Sequence, residues 1–172
     1  MIDLAKYLRD VPDFPKQGII FKDITPLLGN REALTAAADQ LAEPFRQSGV
    51  EYVVGIESRG FIFGPMLADR LGAGFVPVRK SGKLPAETVS ETYDLEYGSD
   101  TVEIHADAIP PGAKVLMIDD LLATGGTMAA ACRLVRKVGG EIVGVAFLVE
   151  LCFLSGRDKL DGCEVLSLIK VP

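Results

Sequence analysis

Histidine is nearly absent: His105 is the only one in 172 residues. A single imidazole leaves no Ser-His-Asp triad to assemble around it and no His cluster to hold zinc. Cysteine is also sparse. Cys132, Cys152 and Cys163 are odd in number and lack C-x-x-C spacing, so they offer neither a zinc site nor a complete disulfide framework. Free thiols in a reducing cytosol are the simplest account, which makes the expected location cytoplasmic. Positive charge is in deficit, with 18 Lys and Arg against 24 Asp and Glu, a net charge of −6 and a pI of about 4.8. A general nucleic-acid binder carries a basic face, so this balance argues against that class. The longest apolar stretch, residues 142–149, is far too short to span a bilayer as a helix. Residues 1–10 read as a short amphipathic helix, with Asp3, Lys6, Arg9 and Asp10 interleaved among apolar residues, and not as a signal peptide. The expectation is a soluble protein with no nucleic-acid and no membrane partner. Its chemistry must rest on carboxylates, cations, backbone amides or a bound metal.

What is present is apolar material for a core. Hydrophobic residues make up 48% of the chain, enough for one substantial core, and residues 1–172 read as a single domain. Asn30 is a good N-cap for a helix over residues 31–46, with Pro44 distorting its last turn. A buried strand over 52–56 leads through Glu57-Ser58-Arg59-Gly60 into a helix over 61–71, which Gly72 stops. Residues 74–78 give a second strand. A similar unit follows: an apolar strand over 114–118 ended by Asp119 and Asp120, a Gly/Thr-rich turn over 121–127, a helix over 128–138 and a strand over 141–149. Strands alternating with helices imply an α/β fold, a parallel sheet flanked by helices on both faces. Residues 83–105 break that rhythm. Alternation at Tyr93, Leu95 and Tyr97, a turn signal at Gly98-Ser99-Asp100 and renewed alternation over 101–105 predict an antiparallel hairpin, preceded by a mobile loop.

The most informative segment is the turn after the 114–118 strand. In open α/β sheets, ligands bind beyond the carboxyl ends of the strands, where Asp119 and Asp120 stand. Gly125 and Gly126 let the backbone approach a ligand closely, Thr124 and Thr127 add hydroxyl donors, and the following helix presents unpaired N–H groups. Together these form a pocket for a phosphate monoester with two carboxylates beside it. There is no Walker A lysine and no G-x-G-x-x-G pattern, so nucleotide hydrolysis and dinucleotide binding fit poorly.

Residues 115–127 resemble the phosphoribosyl pyrophosphate-binding signature of the type I phosphoribosyltransferases. Four further segments resemble the branch of that family acting on adenine. They are Phe14-Pro15-Lys16-Gln17-Gly18-Ile19-Ile20-Phe21-Lys22-Asp23-Ile24-Thr25-Pro26-Leu27-Leu28, Gly55-Ile56-Glu57-Ser58-Arg59-Gly60-Phe61, Val78-Arg79-Lys80-Ser81-Gly82-Lys83-Leu84-Pro85 and Leu95-Glu96-Tyr97-Gly98. They recur in the family's order and cover nearly the whole chain. The resemblance implies the type I fold with a small hood segment at about residues 1–30 and a mobile-loop hairpin at about 82–98. It implies adenine and phosphoribosyl pyrophosphate as substrates, AMP and pyrophosphate as products, Mg²⁺ carried by the substrate and not held directly by the protein, and a homodimer.

By the same resemblance, Asp119 and Asp120 accept from the ribose hydroxyls, and Ala123, Thr124, Gly125, Gly126 and Thr127 hold the 5′-phosphate. Glu57, Ser58, Arg59 and Gly60 form the pyrophosphate loop, with Glu57 and Ser58 mattering less than the backbone there. Arg79, Lys80 and Lys83 supply cations to pyrophosphate, one of them crossing from a neighbouring subunit. Ile20, Phe21 and Arg59 meet the adenine ring, and the catalytic groups are Glu96, near the purine imidazole edge as acid/base, and Arg59. Two alternatives stay open: a 6-oxopurine or other base as substrate, and a non-catalytic phosphoribosyl pyrophosphate-sensing regulator. The regulator would need a DNA-reading element, for which this acidic chain has no room.

Overall fold

A computed structural model describes residues 2–95 and 98–172. Its centre is a seven-stranded sheet. Five strands are parallel: β3 (Tyr52–Ile56), β4 (Gly74–Lys80), β7 (Lys114–Leu122), β8 (Glu141–Leu151) and β9 (Val165–Val171). The antiparallel hairpin β5 (Thr88–Asp94) and β6 (Ser99–His105) extends the sheet at the edge of β4, giving the order β5-β6-β4-β3-β7-β8-β9. From β3 the chain winds outward through β4, and from β7 it winds the other way through β8 and β9. The strand order therefore reverses between β3 and β7, and their carboxyl ends border the crevice where open α/β sheets take ligands.

Helices cover both faces. α2 (Arg31–Ala42) and α3 (Gly60–Leu71) bury Ala37, Leu41, Phe63 and Leu67 against Leu116, Ile118, Ala146 and Leu148. On the other face, α4 (Gly126–Lys137) buries Met128, Ala131, Leu134 and Val135 against Val115, Met117, Val145 and Phe147. Asn30 caps α2 by accepting from the Ala33 N–H at 2.9 Å. The α-helix ends at Ala42, short of residue 46, because Pro44 has no N–H to continue it and the chain tightens into a 3₁₀ turn over Glu43–Phe45. Gly72 ends α3 in the left-handed region, at φ 64°. Among the described residues no helix is long and apolar enough to cross a membrane.

Two expectations need correction. Residues 2–10 do not form an α-helix. A single 3₁₀ turn, Leu4–Tyr7, precedes β1 (Arg9–Pro12), which pairs antiparallel with β2 (Ile20–Asp23). The interleaved charges serve as cross-strand partners: Arg9 meets Asp23 and Lys22 meets Asp10, each at 2.7 Å. Second, Asp119 and Asp120 do not end their strand; β7 runs on to Leu122, so the turn shortens and α4 starts at Gly126. The expected antiparallel hairpin is present as β5 and β6, paired from Thr88 with His105 to Asp94 with Ser99. A short helix α1 (Thr25–Gly29) and strand β9 were not foreseen.

Removing the α2 cap tests the reading of Asn30. Asn30→Ala should cost about 1 kcal/mol and lower the thermal midpoint by roughly 2–4 °C. An unchanged midpoint would show that the Asn30 side chain does not stabilise the helix.

Candidate active site

The crevice holds two adjoining hollows. A small one of about 90 Å³ is lined by Asp119, Ala123, Thr124, Gly125, Gly126 and Thr127, with Leu121, Leu122, Met128 and Phe147 behind them. A wider one of about 320 Å³ is lined by Glu57, Ser58, Arg59, Lys80, Tyr93, Asp119, Asp120 and Thr127. Asp119 and Thr127 line both, so the two adjoin. All five turn residues expected around the phosphate thus converge on one small hollow at the N-terminus of α4. Gly125 adopts φ 77°, and a side chain there would collide with the Gly156 carbonyl.

The paired carboxylates are partly opposed in their surroundings. Asp120 is 4% exposed, and its Oδ2 accepts from Arg59 Nε at 2.8 Å. Asp119 accepts from the Asp120 N–H at 2.9 Å, and among the described residues it forms no ion pair of its own. Burial first, and then the neighbouring charge of Asp120, push the Asp119 carboxyl well above the usual range. Burial raises Asp120 as well, opposed by Arg59. Gly60 lies behind the pair: a Cβ there would sit 2.9 Å from the Ile118 carbonyl oxygen and 3.1 Å from Asp119 Oδ1. Gly60 therefore lines neither hollow; it lets α3 approach the end of β7.

Glu57 is a hub. Its carboxylate accepts from Lys83 Nζ at 2.6 Å, the Lys80 N–H at 3.1 Å and Arg79 Nε at 3.2 Å. These bonds, with Lys83 the strongest, hold its pKa down at about 2. The side chain thus holds Arg79 and Lys83, two of the expected pyrophosphate cations. The Glu57-Ser58 peptide is cis. Lys80 Nζ pairs instead with Asp100.

Phe21 lies beneath the Arg59 guanidinium, with the cation 5.7 Å from the ring centroid, and Phe14 meets it edge-on at 5.3 Å. Ile20 is 58% exposed beside it. The N-terminal hairpin thus delivers Phe21 to the residue that also reaches Asp120. Glu96 lies outside the described residues. Tyr93 was missed: its hydroxyl accepts from Thr127 at 3.1 Å and donates to Asp100 at 3.3 Å. No local motif marks it, because Thr127 is 34 positions away. His105 accepts from the Ala86 N–H at 3.4 Å on the hairpin, and burial pushes the Cys132 thiol up to about 12, so neither supplies a nucleophile here.

A parallel sheet with a phosphate-sized turn and a carboxylate pair at its switch point defines the phosphoribosyltransferase class. The family model "Phosphoribosyl transferase domain" matches residues 27–162. The chain belongs to the adenine phosphoribosyltransferase family. It is 58% identical over 168 residues to the adenine phosphoribosyltransferase of Thermobifida fusca, covering 98% of this chain and 96% of the relative. The crystal structure of that enzyme from Rhodothermus marinus superposes with a TM-score of 0.93 at 56% identity, covering 98% and 96% of the two chains. The Saccharomyces cerevisiae enzyme was solved with D-2,5-dideoxy-2,5-imino-altritol 1,6-bisphosphate and adenine. It matches with a TM-score of 0.88 at 47% identity over 94% of each chain.

The unequal surroundings of the two aspartates predict unequal effects. Asp119→Asn keeps the acceptor for the Asp120 N–H and removes the repulsion, so it should stabilise the protein by about 1 kcal/mol at pH 7. A carboxyl raised in the folded state costs stability only above its unfolded pKa, so this gain should vanish in acid. Asp120→Asn removes the same repulsion but weakens the bond that Arg59 donates, so its gain should be smaller. Urea unfolding of both variants measures this, and equal gains would overturn the distinction.

Glu57 gives a second test. Its depressed pKa contributes stability above about 4.5 that is lost as pH falls toward about 2. The stability gap between the parent and Glu57→Gln should therefore narrow across that window. A gap independent of pH would mean that the carboxylate's charge is not what the three donors recognise.

Proposed function

We propose that the two hollows are the substrate site of the family's reaction, in which the enzyme transfers the phosphoribosyl group of phosphoribosyl pyrophosphate to adenine, giving AMP and pyrophosphate. The observation carrying the assignment is the succession of neighbours from the 123–127 turn, past Asp119 and Asp120, to Arg59 and Phe21. In chain chemistry this orders a phosphate, a ribose diol, a reacting carbon and a flat base. The turn N–H groups and the Thr124 and Thr127 hydroxyls bind the 5′-phosphate. Asp119 and Asp120 accept from the ribose hydroxyls.

Displacement at the anomeric carbon leaves positive charge on the ribose and negative charge on departing pyrophosphate. Arg59, Arg79, Lys80 and Lys83 stabilise the leaving group, and Ser58 and Gly60 place backbone groups beside it. Mg²⁺ arriving with the substrate would neutralise the diphosphate further. Among the described residues no group of three side chains could form a protein cage for a metal, whereas a pair of carboxylates beside phosphate oxygens suits a cation that keeps most of its waters. Phe21 holds the purine plane, and backbone groups of Ile20 and Arg59 read its edge. We assign proton transfer at the imidazole edge to Glu96, the carboxyl group that the family motif places there. A cytoplasmic homodimer is the assembly implied by the family, and sedimentation measures it.

Adenine offers an amino donor and an N1 acceptor, whereas hypoxanthine and guanine offer an oxygen and an N1–H. A pocket reading one pattern leaves groups unpaired with the other. In a pyrophosphate-release assay with Mg²⁺ and a panel of bases, adenine should be preferred by at least about a hundredfold in kcat/KM. Phe21→Ala should raise KM for adenine while sparing phosphoribosyl pyrophosphate. Comparable efficiency with hypoxanthine would overturn the base assignment and leave phosphoribosyl transfer standing.

A further inference from the structure

Gly125 and Gly156, on different elements, are pressed together behind the phosphate turn. A side chain at Gly125 would strike the Gly156 carbonyl, and one at Gly156 would strike the Ala123 carbonyl. The turn is thus backed by a wall of main chain that belongs to another loop. Gly156 opens a 3₁₀ turn, Gly156–Lys159, in the connection between β8 and β9. That connection has little apolar anchorage: over residues 152–160 only Gly156 and Leu160 are buried.

What orients it is the residue next to Gly156. Arg157 meets Glu150 twice, Nε to Oε1 at 2.5 Å and Nη2 to Oε2 at 2.7 Å. It also donates to the Val165 carbonyl at 2.9 Å and to the Ser167 hydroxyl at 3.3 Å. Glu150 is 4% exposed and stands on β8 beside Leu122, the last residue of β7. The Arg157 guanidinium holds the Glu150 carboxyl below its usual range, and the carboxylate raises Arg157 in return. A planar, two-point pair fixes direction as well as distance, which a lysine or an apolar contact does not.

We propose that Glu150 and Arg157 are positioning residues for phosphate recognition: their ion pair holds Gly156 against the 123–125 turn and so sets the shape of the small hollow. Neither touches the substrate. The proposal rests on that hollow being the 5′-phosphate site. Phosphate binding by backbone N–H groups depends on their directions, so a wall displaced by a fraction of an ångström should weaken it without altering the base site.

The test is steady-state kinetics on Arg157→Met and Arg157→Lys, with inhibition by ribose 5-phosphate measured alongside. Arg157→Met should raise KM for phosphoribosyl pyrophosphate and the ribose 5-phosphate inhibition constant about tenfold, with KM for adenine and kcat held within about twofold. Arg157→Lys, which keeps the charge but one contact point, should lie between, and it carries the test if the Met variant fails to fold. Arg70→Met, which removes the 2.5 Å pair between Arg70 and Asp39, is the control for lost stability alone and should leave the ratio of the two KM values unchanged. Thr127→Ala separates the two levels of inference. If it raises KM for phosphoribosyl pyrophosphate while both Arg157 variants do not, the positioning role is overturned and the phosphate site stands. If neither Thr127→Ala nor the Arg157 variants move it, both are overturned. Parallel rises in both KM values would also overturn the positioning role.

Discussion

Burying two adjacent carboxylates in the carboxyl half of β7 costs free energy, several kcal/mol for each ion left without a partner. The neighbouring elements are placed in ways that reduce that cost. Arg59, at the start of α3, reaches Asp120 at 2.8 Å. It can do so because Gly60 presents no side chain between α3 and the strand end. The main chain helps in turn, since the Asp120 N–H is donated to Asp119. Compensation is incomplete, because Asp119 stays shifted toward its protonated form. Perturbed carboxyl groups of this kind cluster at functional sites.

The features legible in the sequence are those whose physics is local. Apolar runs at 52–56 and 114–118 identified strands buried on both faces, Asn30 a helix start, and Gly72 a helix end at φ 64°. The 119–127 turn was legible for the same reason: two glycines, two threonines and two aspartates lie within nine residues. Partnerships across the chain were not legible. Thr127 and Tyr93, Gly125 and Gly156, and Glu57 and Lys83 meet only because the parallel sheet brings the carboxyl ends of its strands together. No spacing rule encodes those encounters.

The amino terminus shows the opposite failure. Charges alternating with apolar residues over 1–10 fit nearly three turns of an amphipathic helix, but a ten-residue segment gains little from helical propensity alone. Pro12 ends any helix there, and the complementary order of Arg9 and Asp10 against Lys22 and Asp23 favours strand pairing instead. The outcome matters for the site, because the hairpin rather than a helix sets Phe21 under Arg59.

An acidic protein that handles a diphosphate must present cations without the attraction of a basic surface. Each of the four expected cations has a carboxylate partner: Arg59 has Asp120, Arg79 and Lys83 share Glu57, and Lys80 has Asp100. On the assignment proposed above, pyrophosphate therefore enters by exchange of partners and not by capture of bare charge. Exchange lowers the net gain in binding, since each incoming contact replaces an existing one. It also preorganises the donors, whose side chains would otherwise lose conformational entropy when the anion arrives. Glu57 occupies the centre of this arrangement because one carboxylate holds two cations and the Lys80 N–H in a fixed geometry. The same carboxylates then remain beside the departing anion, where they oppose its retention and favour release of product.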